Sequence, residues 1–224
     1  MKIVILNAGM GQRLGRNMPK CLNYVNKEEK ILDRQLKILG KLNAPIYCLV
    51  GFKKEIIMEE YPHINYIYNE KFHQTNTSKS LLRAFEAIKE SDDTMWINGD
   101  VFLPIDFPIK NFQKTKGNII LCNKDKNCGE EEVKYKTNST ESITELSKKV
   151  SKPEGEALGL NLVRAKYFQK LKIALEKCRQ QDYFEKGCEF LIKSGIKFKP
   201  YITDKMVREI DTHDDLARIY NTDN

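Results

Sequence analysis

The sequence predicts an α/β fold: a mixed sheet, mostly parallel, with helices on both faces and antiparallel strands added to it. Three observations predict it. Over the first hundred residues, short apolar runs rich in β-branched and aromatic residues alternate with helical patterns, the order expected of parallel strands joined by helices. The first run, Ile3-Val4-Ile5-Leu6, opens straight into a polar loop with closely spaced glycines. Beyond Asp100, strand-like runs follow one another with little helix between them, as when antiparallel strands join a parallel core.

Taken in order, residues 2–6 form the first strand, and residues 46–51, 66–69 and 94–98 supply three more, each closed by Gly, Asn or Lys. Helical patterns at 31–42, 54–61 and 78–89 separate them. In the last, Leu81, Leu82, Phe85 and Ile88 share one face, and Thr77 or Ser78 can cap its start. Strands are then expected at 118–123, 133–137, 143–147 and 157–163, with the polar stretch 124–132 as a surface loop. Helices at 167–181 and 184–193, a strand at 198–202 and a last helix opening at Thr212 complete the pattern.

The 224 residues point to one continuous domain over 1–224, since a domain takes roughly 150 residues. With 41% hydrophobic residues, the chain can bury a core without a disulfide or metal staple. No apolar run approaches the roughly 18 residues of a membrane span, and the apolar start is too short for a signal peptide; a cytoplasmic protein without membrane insertion is expected. The six cysteines form no C-x-x-C pair and the three histidines lie far apart, so the thiols read as reduced and mostly packed, not as zinc ligands. The net charge of +7 suits a phosphate-rich ligand. Nucleic acid is a lesser reading, because the charges are interleaved and no long Lys/Arg block occurs.

The most informative stretch is Leu6-Asn7-Ala8-Gly9-Met10-Gly11-Gln12-Arg13-Leu14-Gly15, continuing to Pro19-Lys20-Cys21-Leu22. Glycines let backbone N–H groups approach phosphate oxygens, while Arg13 supplies a forked charge and Lys20 a compact one. The dinucleotide fingerprint fails because Leu14 stands where its third glycine belongs, and the P-loop fails because no glycine precedes Lys and a hydroxyl residue. A tight strand-to-helix turn is the plainer alternative.

The string LNAGMGQRLG…MPKCL resembles the L-x-A-G-x-G-x-R-[LM]…P-K signature of the nucleotidyltransferases that act on sugar phosphates and phosphocholine. YNEKFHQTNTSKSLLRA resembles that family's nucleobase-pocket segment, WINGDVF its strand ending in a metal-binding Asp, and VREIDTHDDLARI its E-I-D-[ST]-x-x-D-[LY] ending. The asparagine-rich middle segment and the ending resemble the phosphocholine-type cytidylyltransferase branch. Two departures stand out: Asn7 replaces the usual Ala, and the loop between Arg13 and Pro19 is short.

The resemblance implies a Rossmann-like fold and transfer of CMP from CTP to a small phosphorylated acceptor, with pyrophosphate released and Mg2+ required. It implies that Lys20 touches the α-phosphate and the acceptor phosphate while Arg13 holds the leaving pyrophosphate. Leu6, Asn7, Ala8, Gly9 and Gly11, with Asn76, Thr77 and Ser80, would contact the nucleotide. Asp100 and Asp211 would hold the metal, although singly they also read as a turn residue and a helix cap. Lys152, Glu156, Tyr183 and Glu185 are the acceptor candidates; an acid beside an aromatic ring suits a cationic head group. UTP stays open beside CTP, as does a sugar-1-phosphate nucleotidyltransferase using UTP, CTP or dTTP. A glycosyltransferase is disfavoured because Val101 and Phe102 follow Asp100 in place of an Asp-x-Asp motif. A homodimer is left open.

Overall fold

The structure is a computed structural model that describes residues 1–11 and 18–222. Its first half runs β1 (Lys2–Asn7), α1 (Ile31–Leu39), β2 (Ile46–Val50), α2 (Lys54–Glu60), β3 (Asn65–Tyr68), α3 (Thr77–Ile88) and β4 (Thr94–Asn98). The short β5 (Val101–Phe102) and α4 (Ile109–Lys114) precede β6 (Asn118–Cys122), β7 (Lys134–Thr137), β8 (Ile143–Ser147) and β9 (Gly155–Val163). The chain ends with α5 (Ala165–Lys177), α6 (Phe184–Lys193), β10 (Phe198–Ile202), β11 (Arg208–Glu209) and α7 (His213–Thr222).

Among the described residues the main sheet has the order β10-β6-β9-β4-β1-β2-β3, with β7 and β8 attached at β9. β4, β1, β2 and β3 are mutually parallel, and β6 is parallel to β10. β9 runs antiparallel between β4 and β6. The predicted fold class is the observed one.

Alternation along β1 explains why both faces need helices. Ile3 and Ile5 enter one core with Leu32 and Ile38 of α1, Ile57 of α2 and Phe112 of α4. Val4 and Leu6 enter the other with Leu81 and Phe85 of α3, Phe168 of α5 and Phe184 of α6. Every residue of β1 is buried, and burying each such aliphatic side chain stabilises by about 1.5–3 kcal/mol. On the second face Phe85 stacks on Phe168 at 4.3 Å between centroids, and Trp96 meets Phe184 edge-on at 5.7 Å.

Several boundaries differ from expectation for identifiable reasons. Helix 31–42 ends as α-helix at Leu39 and tightens into a 3-10 turn, Gly40–Leu42, closed by Asn43 in the left-handed conformation. The cap of α3 is Asn76, whose side chain accepts from Thr77 N at 2.8 Å; Thr77 Oγ1 is engaged by the Phe184 amide instead. α4 went unpredicted because six residues carry only two buried apolar positions, Ile109 and Phe112. Among the described residues no helix is long and apolar enough to cross a membrane.

Candidate active site

The chain winds outward from β1 through α1 and α2, then α3 crosses to the opposite face and delivers β4 to the other side of β1. This reversal leaves a crevice beyond the carboxyl ends of β1 and β4, the place where open α/β sheets bind ligands. A cleft of about 730 Å3 opens there.

One end of the cleft holds Gly9, Gly11, Lys20, Asp100 and Asp211. Gly11 has φ +62°, and a Cβ there would lie 2.8 Å from Lys20 Cγ; glycine makes the turn and admits the lysine stem together. Lys20 Nζ donates to Asp100 Oδ2 at 2.8 Å and also to Asp211 Oδ1. Burial of the ammonium pulls its pKa down, but the two carboxylates outweigh burial and leave it above its usual value.

The two aspartates meet although they are far apart in the chain because β5 and β11 pair antiparallel, Arg208 opposite Phe102 and Glu209 opposite Val101. The Ile210 amide then donates to the Asp100 carbonyl at 2.9 Å. Gln35 of α1 fixes the turn from beneath, donating to the carbonyls of Asn98 and Val101 at 2.9 and 2.8 Å. Under the pair lies Glu209, which accepts from Asn98 Nδ2 at 2.9 Å. Burial, aided by the Asp100 charge, drives its carboxyl well above the usual range.

The donor set fits a hard divalent cation. Two carboxylates already converge on one positive group, the Lys20 ammonium, which stands where a cation would. Among the described residues no third His, Cys, Asp or Glu completes a metal cluster. Mg2+ tolerates this, since it commonly takes one or two carboxylates and fills its shell with water and phosphate oxygens.

A second wall is formed by Leu6, Asn7, Asn76 and Thr77. Asn7 is buried and donates to Cys48 Sγ at 3.2 Å. Its amide requires a glycine at position 99, where a Cβ would sit 1.6 Å from Asn7 Oδ1. Asn76 and Thr77 are held by the α5–α6 connection: the amides of Asn76 and Ser78 donate to the carbonyls of Gln180 and Asp182, at 2.8 and 3.2 Å. That connection leads directly into Tyr183.

The far end is acidic, with Asp125, Glu131, Glu132, Glu156 and Glu185 around Tyr183 and Lys148. Glu156 accepts from Asn123 Nδ2 at 2.7 Å, and burial raises its pKa despite that bond. Lys148 Nζ lies 4.2 Å from the centre of the Tyr183 ring, 3.2 Å from its hydroxyl and 2.8 Å from Glu131 Oε2. Glu185 is buried, and burial pushes its carboxyl up to about 7.

Not every expected residue reaches the cleft. Lys152 is exposed at φ +51° in the turn between β8 and β9, off the cleft wall, because that turn projects into solvent. Ser80 is buried behind the wall, where its hydroxyl accepts from Asn69 Nδ2 at 3.2 Å. Ala8 is buried beside it, its carbonyl taken by the Phe52 amide. Arg13 lies outside the described residues. The segment 124–132 is an exposed loop, as expected, and it also supplies Asp125, Asn127, Glu131 and Glu132 to the rim of the cleft. Reading the sequence also missed Glu209, which sits in the quoted V-R-E-I-D string, and Lys148, which no local pattern marks.

A doubly wound sheet with a glycine turn, a lysine and paired acids at its switch point defines a nucleotide-handling α/β protein. Residues 3–177 match the MobA-like NTP transferase domain, and the chain belongs to that family. It is similar to CTP:phosphocholine cytidylyltransferase from Streptococcus pneumoniae, with TM-score 0.81 and 19% identity over 98% of this chain and 97% of that one. It is also similar to the inositol-1-phosphate CTP transferase from T. maritima, with TM-score 0.78 and 16% identity over 97% and 95%. These likenesses establish the fold. In sequence it is 33% identical over 131 residues to a probable UDP-N-acetylglucosamine pyrophosphorylase of Acanthamoeba polyphaga mimivirus, covering 53% of this chain and 50% of that protein. The chain spans half or less of the length of the curated relatives it matches.

Proposed function

We propose that the protein is a nucleotidyltransferase that joins CMP from CTP to a small phosphorylated acceptor and releases pyrophosphate. The observation that carries this reading is the Lys20 ammonium held between Asp100 and Asp211 against the Gly9–Gly11 turn. In the reaction an acceptor phosphate oxygen attacks the α-phosphorus; a new P–O bond forms as the bond to the β-phosphate breaks, and pyrophosphate carries the electrons away. Both partners are anions, so positioning and preorganised positive charge dominate the barrier.

The backbone amides of the glycine turn cradle the triphosphate. Lys20 exchanges carboxylate oxygens for those of the α-phosphate and the acceptor, holding the two in contact. Arg13 takes the leaving pyrophosphate. Asp100 and Asp211 would hold Mg2+, which when bound supplies the charge that neutralises the converging phosphates. Asn7, Asn76 and Thr77 present amides and a hydroxyl to the nucleobase, and the cytosine choice rests on the resemblance of the asparagine-rich segment and the E-I-D ending to the phosphocholine-type branch. The mimivirus relative supports a second reading, a sugar-1-phosphate acceptor with UTP.

A pyrophosphate-release screen of the four ribonucleoside triphosphates against a panel of phosphorylated small molecules tests the reading. CTP with at least one phosphomonoester should release pyrophosphate; UTP with a sugar 1-phosphate alone would select the second reading. Release of nucleoside diphosphate, or no turnover, would contradict both.

A further inference from the structure

We infer that the acceptor carries a protonated amine with N–H bonds, a primary or secondary ammonium and not a quaternary one, and that Glu185 is the side chain that receives it. This rests on the nucleotidyl-transfer reading for the acceptor's phosphate end and specifies its other end. Three observations carry it.

First, the cleft is polar in the electrical sense. The phosphate end holds Lys20 between Asp100 and Asp211, whereas five carboxylates, Asp125, Glu131, Glu132, Glu156 and Glu185, line the other against one lysine and Arg208, whose charge reaches Glu156. That lysine, Lys148, is already committed to Glu131 and Tyr183. A ligand with negative charge at one end and positive charge at the other matches this lining; a uniformly anionic one does not.

Second, Glu185 is an incomplete partner. The residue is 8% exposed, and its Oε2 atom accepts no hydrogen bond among the described residues. Glu185 lines the cleft together with Lys148 and Glu209. A buried carboxylate with an unpartnered oxygen is costly, and an ammonium bound against the cleft face of Glu185 offsets its charge.

Third, the wall lacks the aromatic cage that a quaternary ammonium needs. Tyr183 is the one aromatic side chain on the wall among the described residues, and residues 12–17 contain none. One face of Tyr183 is occupied by the Lys148 ammonium at 4.2 Å, and a single remaining face makes no cage. An ammonium with N–H bonds is therefore the species this end already accommodates: Lys148 itself is one, held by a ring, a phenol and a carboxylate.

The test uses the full chain at pH 8 with CTP and Mg2+ and three matched acceptors: 2-aminoethyl phosphate, its N,N,N-trimethyl counterpart and ethyl phosphate. The ratio kcat/KM should favour the primary ammonium by about tenfold or more over both others, the size of one charge-assisted hydrogen bond. Glu185→Gln should reduce that preference to about twofold, and Glu185→Asp, which keeps the charge, should leave an intermediate preference. Thermal unfolding of both variants confirms that they fold. Equal or better use of the trimethyl compound, equal use of ethyl phosphate, or a preference untouched by Glu185→Gln would overturn the inference. If no acceptor is turned over, the transfer reading fails separately. Calorimetric binding of the same three phosphates to wild type and Glu185→Gln then decides the inference by the same ordering, and equal binding of all three overturns it.

Discussion

Replacing Lys20 with methionine isolates what the ammonium does for the two carboxylates it bridges. The side chain keeps a similar apolar length and loses only the charge. Lys20, Asp100 and Asp211 have side chains 18%, 20% and 25% exposed, between the buried pairs whose disruption costs about 3–5 kcal/mol and the exposed pairs worth about 0–1 kcal/mol. A loss of about 2–3 kcal/mol follows, or about 4–12 °C in Tm for a chain of this size. The sign with pH is fixed: the folded-state pKa of Lys20 is raised, so its contribution is complete below the unfolded value and is lost only as pH climbs through the folded one. At pH 8 it is fully present. In Lys20→Met a divalent ion meets no competing ammonium, so Mg2+ at ten times its Kd should restore about 1.4 kcal/mol. Thermal unfolding at pH 8 in EDTA and in Mg2+, at matched ionic strength, measures both effects. An unchanged Tm in EDTA would refute the electrostatic argument, and equal Mg2+ responses in variant and wild type would refute the shared site.

Three further outcomes are expected. Asp100→Ala with Asp211→Ala should abolish the dependence of turnover on Mg2+, measured by pyrophosphate release across a metal titration; a retained response would remove these residues as ligands. Glu185 has a folded-state carboxyl pKa of about 7, above its unfolded value, so the folded chain holds its proton longer and loses stability as pH rises between the two. Faced by Lys148, Glu209 and Cys188, its burial costs about 3 kcal/mol at pH 8. Urea unfolding should show Glu185→Gln gaining about that much over wild type between pH 5 and pH 8, and a pH-independent difference would contradict the burial argument. Gly99→Ala should cost about 1–3 kcal/mol by overpacking, because the new Cβ displaces the Asn7 amide; an unperturbed Tm would show that Asn7 is not pinned.

The sheet was legible where burial is two-sided. The run Ile3-Val4-Ile5-Leu6 feeds both cores at once, and such strands read as continuous apolar runs. The site was legible where its residues are contiguous or end a strand, as with Gly9, Gly11, Lys20 and Asp100. It was not legible where the wall is assembled across the fold. Lys148 looks like any surface lysine until the β7–β8 pair places it over Tyr183. The acids of 124–132 read as solvated charge and are exposed, and only the fold reveals that they stand on the rim of the cleft. Glu209 occupies one position of a two-residue strand, too short for alternation to mark its side as buried. Lys152 misled in the opposite direction, because its neighbour Pro153 marks a turn without fixing which way the turn points.

The triphosphate is expected to lie on the glycine turn with its α-phosphate at Lys20. A crystal structure of the chain with CTP and Mg2+ reads this directly. Phosphate oxygens within hydrogen-bond distance of the Gly9–Gly11 amides and Lys20 Nζ, with the ion on Asp100 and Asp211, are the predicted result. A triphosphate bound in the acidic end beside Glu156 and Tyr183, with Lys20 still bridging the two aspartates, would contradict it.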